Sequence, residues 1–353
     1  MKITRALLFF LIVFSSCKED QGINRKLPPI TKSVNTIKYS EGFKINKSND
    51  NKTLEITKAW PEAKKKYTYL LLTKEQAAKT TYNKKDYDGV IITPITKTVV
   101  TSTTHIPALE LLGVEHTLVG FPGTDYISSK KTRKRIDEGK VRELGKNEGI
   151  NTEVLLELYP DVVIGFGVDG VNKTLETIKK AGIPIIYNGD WVESSALAKA
   201  EWIKFFGVLF NKEKETDSIF NSIEREYLMA KEIAKKAKYQ PTVLSGAMHK
   251  DVWYLPNGSS PEAQFLKDAN VNYLWRETTG NGSLALSFEV VLDKAKDADL
   301  WLSPSYYSSF EHLEKASSLY TNFEAFKKRN IYSFSNTKGA TGGVLYYELG
   351  TAR

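Results

Sequence analysis

Four histidines, His105, His116, His249 and His312, are the first candidates for chemistry in this chain of 353 residues. A zinc or manganese site needs several imidazoles and carboxylates converging on one ion. Only His105 and His249 fall in loops that follow predicted strands, so no direct metal site is expected. The chain also lacks a Gly-x-Ser-x-Gly elbow, a Gly-x-x-x-x-Gly-Lys-Ser/Thr loop and a Gly-x-Gly-x-x-Gly fingerprint. Gly165-Phe166-Gly167 follows a predicted strand, but its next glycine is Gly170 and the helix starts later. No enzyme is expected. The strand-end loops instead supply aromatics: Tyr126, Phe166, Trp191, Trp275, Tyr306 and Tyr307, with Asp125, His105 and His249 as polar companions. Aromatic walls with a few polar groups suit non-covalent capture of a bulky, partly apolar molecule. Arg133 and Arg135 could meet an anionic part of such a ligand or lie on an exposed helix face. Trp253 and Trp301 fall inside predicted strands and are expected in the core.

A second set is repeated. Thr152-Glu153-Val154-Leu155 leads through Pro160-Asp161 into an apolar strand, and Phe288-Glu289-Val290-Val291 leads through Ala298-Asp299 into Leu300-Trp301-Leu302. Each copy puts a glutamate in the first turn of a helix, where it complements the helix dipole.

The elements that must position these residues fall into two α/β halves on either side of Asn211–Lys238. Apolar residues recur there at Ile219, Ile223, Tyr227, Ala230, Ala234 and Ala237, widened by Phe220 and Ile233, as in one helical stripe. At 1.5 Å per residue that helix is about 40 Å long, enough to reach from one domain to another. Before it, strands are predicted at Lys97–Thr101, Thr117–Phe121, Asp161–Gly165 and Ile183–Tyr187. Helices follow Pro107, Asn151 and Asn172, and a long loop fills 122–149. After it come strands at Pro241–Gly246, Asp251–Leu255, Leu300–Leu302 and Ile331–Phe334, with helices at Pro261–Ala269, Phe288–Lys296 and Asn322–Lys328. Apolar, non-alternating strands between helices predict parallel sheets covered on both faces, with ligands beyond the carboxyl ends of the strands. Ahead of the first half, Phe43, Ile45, Leu54 and Ile56 alternate about Ser48–Asn51, which predicts a β-hairpin extension.

The N-terminus is of another kind. Lys2 and Arg5 precede the apolar run Ala6–Phe14, too short for the about 20 residues that span a bilayer but suited to a signal peptide. Cys17, the single cysteine, excludes an internal disulfide. From Lys18 to about Ile37 the chain reads as a flexible tether. The formal charge of +8 is scattered without a zinc-finger or homeodomain pattern, so no nucleic-acid partner is expected.

From about Thr96 onward the order of elements resembles the periplasmic binding proteins of ABC importers for iron–siderophore complexes and cobalamin. The matching pieces are Val99–Gly113, Val119-Gly120, the run 144–153, Leu158–Ile164 and the helix at 211–238. Phe14-Ser15-Ser16-Cys17 resembles a bacterial lipobox, which implies that Cys17 is lipidated. Lys18-Glu19-Asp20 resembles a signal for the outer cell surface. The resemblance implies two Rossmann-like lobes, 38–210 and 239–353, joined by one backbone helix, 211–238, after a signal peptide, 1–17, and a tether, 18–37. It implies a monomer facing the periplasm that binds a ferric siderophore between its lobes and closes by a few degrees. Cobalamin is the alternative ligand, and a bilobed surface lipoprotein without a transport role is the other alternative. Phe166 matches an aromatic wall position, while Asn147 stands where the cobalamin binder has another wall residue. Glu153 and Glu289 match the glutamates that each lobe presents to the permease. The chain stops at Thr351-Ala352-Arg353 without the terminal helix usual in that family, so the C-lobe is expected to be cut short.

Overall fold

The computed structural model describes residues 25–26, 34–48, 51–280, 282–304, 307–333, 338–339 and 341–342. Cys17, Tyr306 and the last residues of the chain lie outside this set. Alternation about Ser48 gives the hairpin of β2 (Phe43–Lys47) and β3 (Lys52–Ile56), but the hairpin is part of a larger sheet. Val34–Asn35 (β1) adds one edge, and Tyr67–Thr73 (β4) and Gly89–Thr93 (β5) extend the other, in the order β1-β2-β3-β4-β5. The last pair is parallel, so it needs a crossover, which residues 74–88 supply with the helix Lys74–Lys79. Phe43, Ile45, Leu54, Ile56, Tyr69 and Leu71 point into one core shared with the lobe that follows.

That lobe holds β6 (Thr98–Val100), α1 (Ile106–Leu111), β7 (Leu118–Phe121), α2 (Lys130–Asp137), β8 (Arg142–Glu143), α3 (Thr152–Leu158), β9 (Val162–Gly165), α4 (Lys173–Lys180) and β10 (Ile185–Tyr187). The strands form a parallel sheet in the order β8-β7-β6-β9-β10. Val99, Val100, Val162, Val163 and Ile164 are fully buried, as strands covered on both faces must be. Helix α2 occupies what the sequence presents as loop. Its only apolar member is Ile136, so it carries no stripe. It is held by polar contacts: Thr132 Oγ1 donates to Glu110 at 2.5 Å, and Arg135 donates to the carbonyls of His116 and Leu118. Helices α5 (Ala196–Glu201) and α6 (Ile203–Leu209) close the lobe.

The backbone helix α7 spans Glu213–Lys235, about 34 Å at 1.5 Å per residue. Phe220 and Thr216 are buried against the first lobe. Further along, the Tyr227 hydroxyl donates to Asp268 at 2.7 Å and Lys231 pairs with the same carboxylate, so the helix bridges both halves. The expected apolar stripe stops short: Ile233 is 66% exposed.

The second lobe holds β11 (Thr242–Ser245), β12 (Ala247–His249), β13 (Val252–Pro256), α8 (Pro261–Asp268), β14 (Asn272–Tyr273), β15 (Ser283–Leu286), α9 (Phe288–Ala295), β16 (Leu300–Leu302), α10 (Phe310–Ala316), α11 (Glu324–Lys327) and β17 (Ile331–Tyr332). Its parallel sheet runs β14-β11-β16-β17, and β12, β13 and β15 form a separate antiparallel sheet. Trp253 and Trp301 are fully buried with ring centroids 5.4 Å apart, as expected of core residues.

Candidate ligand cleft

A cavity of about 280 Å³ opens beyond the carboxyl ends of β6 and β9. It is lined by Thr101, by Asn147, Glu148 and Ile150 of the hairpin 145–150, and by the loop from Phe166 into the start of α4. Hydrogen bonds hold these pieces together. The Asn147 amide donates to the Thr101 carbonyl at 3.1 Å, Asn172 donates to the Asn147 carbonyl at 3.2 Å, and Thr174 donates to the Glu148 carbonyl at 3.1 Å. Asn172 also caps α4 by accepting from the Thr174 amide at 2.8 Å. Val168 and Val171 stand 61% and 48% exposed on the loop, apolar surface free to cover a ligand.

One carboxylate organises the neighbouring turn. Glu143 accepts from the amides of Gly123 (2.8 Å), Thr124 (2.7 Å) and Gly145 (2.8 Å) and from the Thr124 hydroxyl (2.5 Å). Burial raises its pKa, but these donors more than offset that, and the group lies below the usual range. The same residue thereby fixes the turn carrying Asp125 and Tyr126, both exposed, and the hairpin carrying Asn147. Arg133 donates to the Thr124 carbonyl at 2.6 Å and pairs with Asp137 at 3.5 Å, and Arg135 donates to the carbonyls noted above, so both support this lobe.

Phe166 is half-buried at the cavity, and Trp191 is 40% exposed beyond β10. His249 is exposed at the end of β12, and Tyr307 lies half-buried beyond β16 with its ring on Tyr320. Two expected ligand residues point elsewhere. His105 is 1% exposed, packed on Phe206 at 5.7 Å, and neither ring nitrogen has a partner; burial pushes its pKa down to about 3. An uncharged imidazole at the start of α1 is turned inward with the apolar face of that helix. Trp275 is 4% exposed, against Tyr273, with the Lys294 ammonium 5.3 Å above its ring. Sequence position at a strand end does not fix which way a side chain turns. Asp190, next to the expected Trp191, is buried and pushed up to about 6 by that burial, and the loop residues Val168, Val171 and Asn172 line the cavity without being expected there. The Gly165, Gly167, Gly170 spacing between strand and helix was the available signal for that loop.

Glu153 and Glu289 sit at the second position of α3 and α9, exposed, behind the caps Asn151 and Ser287. Hydrogen bonds from its own amide and from Ser287 hold the Glu289 carboxyl below its usual range. Among the described residues no three histidine, cysteine, aspartate or glutamate side chains gather as a metal site, and no helix is long and apolar enough to cross a membrane.

A family description of periplasmic binding proteins matches residues 99–337, two thirds of the chain, and the chain belongs to that family. An uncharacterized lipoprotein of Methanocaldococcus jannaschii is 27% identical over 338 residues, 92% of this chain and 78% of that one. Another lipoprotein from the same organism is 24% identical over 347 residues, 91% of this chain and 85% of its own. Among solved structures, a periplasmic heme-binding protein of Vibrio cholerae superposes with a TM-score of 0.57 at 14% identity, covering 72% of this chain and 96% of its own. A triscatecholate siderophore-binding protein of Bacillus subtilis gives 0.52 at 16% identity, covering 74% and 93%. A possible iron-binding protein of Staphylococcus epidermidis gives 0.55 at 15% identity, covering 73% and 96%.

Proposed function

We propose that this protein is the solute-binding lipoprotein of an ABC importer. It captures a ferric siderophore between its lobes and hands it to the permease. The observation that carries this reading is the cavity at the carboxyl ends of β6 and β9, lined by Phe166 and the exposed valines of its loop, in a chain of the periplasmic binding protein family. Asp125, Tyr126 and Trp191 of the first lobe and His249 and Tyr307 of the second are the residues proposed to meet the rest of the ligand. The lipoprotein relatives support an anchor at Cys17 in the cell envelope. Glu153 and Glu289 serve as the docking pair, one per lobe, both exposed and both unburdened by partners that bind ligand.

Of the six tryptophans Trp191 alone is exposed by more than a tenth, so its fluorescence is the natural reporter. Titration of the protein with ferric siderophores, heme and cobalamin is expected to quench Trp191 at micromolar or lower ferric chelate and to leave it unchanged with the other two. Binding of cobalamin alone turns the reading into a vitamin carrier; silence with all three overturns it. Glu153→Lys with Glu289→Lys is expected to abolish uptake while ligand affinity is kept, and intact uptake sinks the transporter role.

A further inference from the structure

We infer that the N-terminal sheet completes the ligand cleft, with Trp60, in the loop between β3 and β4, as the residue that positions the cavity loop 166–172. Trp60 is 9% exposed and belongs to an aromatic trio with Tyr67 (6.1 Å) at the start of β4 and Tyr187 (5.5 Å, interplanar 82°) at the end of β10. Tyr187 pairs in register with Gly165, the last residue of β9. The trio therefore locks the extension onto the strand ends from which both ligand-side loops depart.

The contact continues into those loops. A Cβ on Gly167, which lines the cavity, would stand 2.6 Å from the Trp60 ring and 3.0 Å from the Gly170 carbonyl. A Cβ on Gly189, two residues before Trp191, would stand 2.1 Å from the Lys58 carbonyl. Both glycines are explained by close approach of the same loop, 57–66. That loop is itself pinned: Lys65 pairs with Asp88 at 2.7 Å and lies over the Tyr67 ring, and Lys58 pairs with Glu41. Val168, Asp169 and Val171 are exposed, so apart from the hydrogen bond of Asn172 to the Asn147 carbonyl the cavity loop leans on Trp60. Trp60 is thus its buttress.

This wall lies outside the general family pattern. The family match begins at residue 99, and the solved structures cover 72–74% of the chain. The archaeal lipoproteins leave less than a tenth of the chain unmatched, too little to omit 34–93. The extension thus lies outside the stretch that the family description matches and within the stretch that these lipoproteins share.

The consequence for ligand rests on the proposed function; the positioning does not. Hydrogen exchange on the unliganded protein is expected to rise by about tenfold or more at 166–172 in Trp60→Ala, while β9 and β11 keep their protection. Trp60→Phe should restore the wild-type rates, and Gly167→Ala, which wedges the same contact, should reproduce the loss in a protein whose Trp60 is intact. Unchanged exchange at 166–172 in both Trp60→Ala and Gly167→Ala overturns the inference whatever the ligand. With the ferric chelate that quenches Trp191, affinity should fall about tenfold in Trp60→Ala and return in Trp60→Phe. Undiminished affinity in Trp60→Ala, against clear wild-type binding, removes the extension from the ligand site.

Discussion

Asp161 in the first lobe and Asp299 in the second do the same job. Asp161 accepts from the Thr96 amide (2.7 Å), the Thr96 hydroxyl (2.8 Å) and the Lys97 amide (2.9 Å), tying the foot of β9 to the foot of β6. Asp299 accepts from the Thr242 amide (2.7 Å) and hydroxyl (2.6 Å), tying β16 to β11. Each is preceded by a capped helix with an exposed glutamate in its second position. Beyond this the lobes part. The second is closed by its own aromatic stack of Trp253, Trp301, Tyr320 and Phe323. The first shares its core with the N-terminal sheet, which two buried carboxylates clamp in place. Glu201 accepts from the amides of Lys38 (2.9 Å), Tyr39 (2.7 Å) and Ser40 (3.0 Å) and from the Lys204 ammonium (3.1 Å); Glu193 accepts from the Gly42 amide (2.8 Å) and the Trp202 indole (2.9 Å). What repeats belongs to the fold, and what does not repeat marks where this protein is particular.

The largest loss of stability is expected at the clamp between the first lobe and the N-terminal sheet. Glu201→Ala removes the acceptor of three backbone amides and the nearest partner of Lys204, which keeps Asp217 at 3.7 Å, and should cost the first lobe about 3 kcal/mol. Urea unfolding followed by hydrogen exchange should show β6 and β9 losing protection before β11 and β16; simultaneous loss in both lobes would mean that they share one cooperative unit. Asp161→Ala and Asp299→Ala should each cost about 1 kcal/mol in the lobe concerned. Markedly unequal losses would show that the two aspartates are only superficially alike.

Acid sharpens the second of these. The Thr242 hydroxyl, followed by the Thr242 amide and the Tyr239 hydroxyl, holds the Asp299 carboxyl below its ordinary value of 3.8. A depressed folded-state pKa contributes stability above the unfolded value and loses it as pH falls through the folded one. The urea midpoint of the second lobe should therefore be flat from neutral pH to the ordinary aspartate range and drop below it, with a shallower drop in Asp299→Ala. The smallest effect is expected at His105: His105→Leu keeps the packing on Phe206, removes two orphaned ring nitrogens, and should leave the Trp191 titration unchanged. A weakened titration would place His105 in contact with ligand.

The parts of this molecule that repeat were legible because they depend on short-range rules. Caps, first-turn glutamates, apolar strand runs and the period of α7 are written locally, and Trp253 and Trp301 are buried in the strands where they were expected. Other parts depend on partners distant in sequence. Helix α2 has no stripe, because Glu110 and two backbone carbonyls hold it. Tyr67–Thr73 pairs with Gly89–Thr93 across an intervening helix, so neither strand announces its neighbour. His105 and Trp275 occupy strand-end positions, but packing of α1 and of the Tyr273 cluster turns them inward. The cavity loop was marked only by glycine spacing, whose reason is a tryptophan more than a hundred residues earlier.

Gly339 and Thr341, after β17 in the chain, lie against the first lobe. Thr341 places its hydroxyl 2.8 Å from that of Ser128, and Gly339 lies so close that a Cβ would meet the Ser128 side chain at 2.2 Å. The second lobe is thus attached to the first at two places, along α7 and at Ser128. Attachment at two separated places leaves the lobes less room to move apart than α7 alone would. The contact at Ser128 is therefore expected to keep the lobe movement that accompanies ligand capture small.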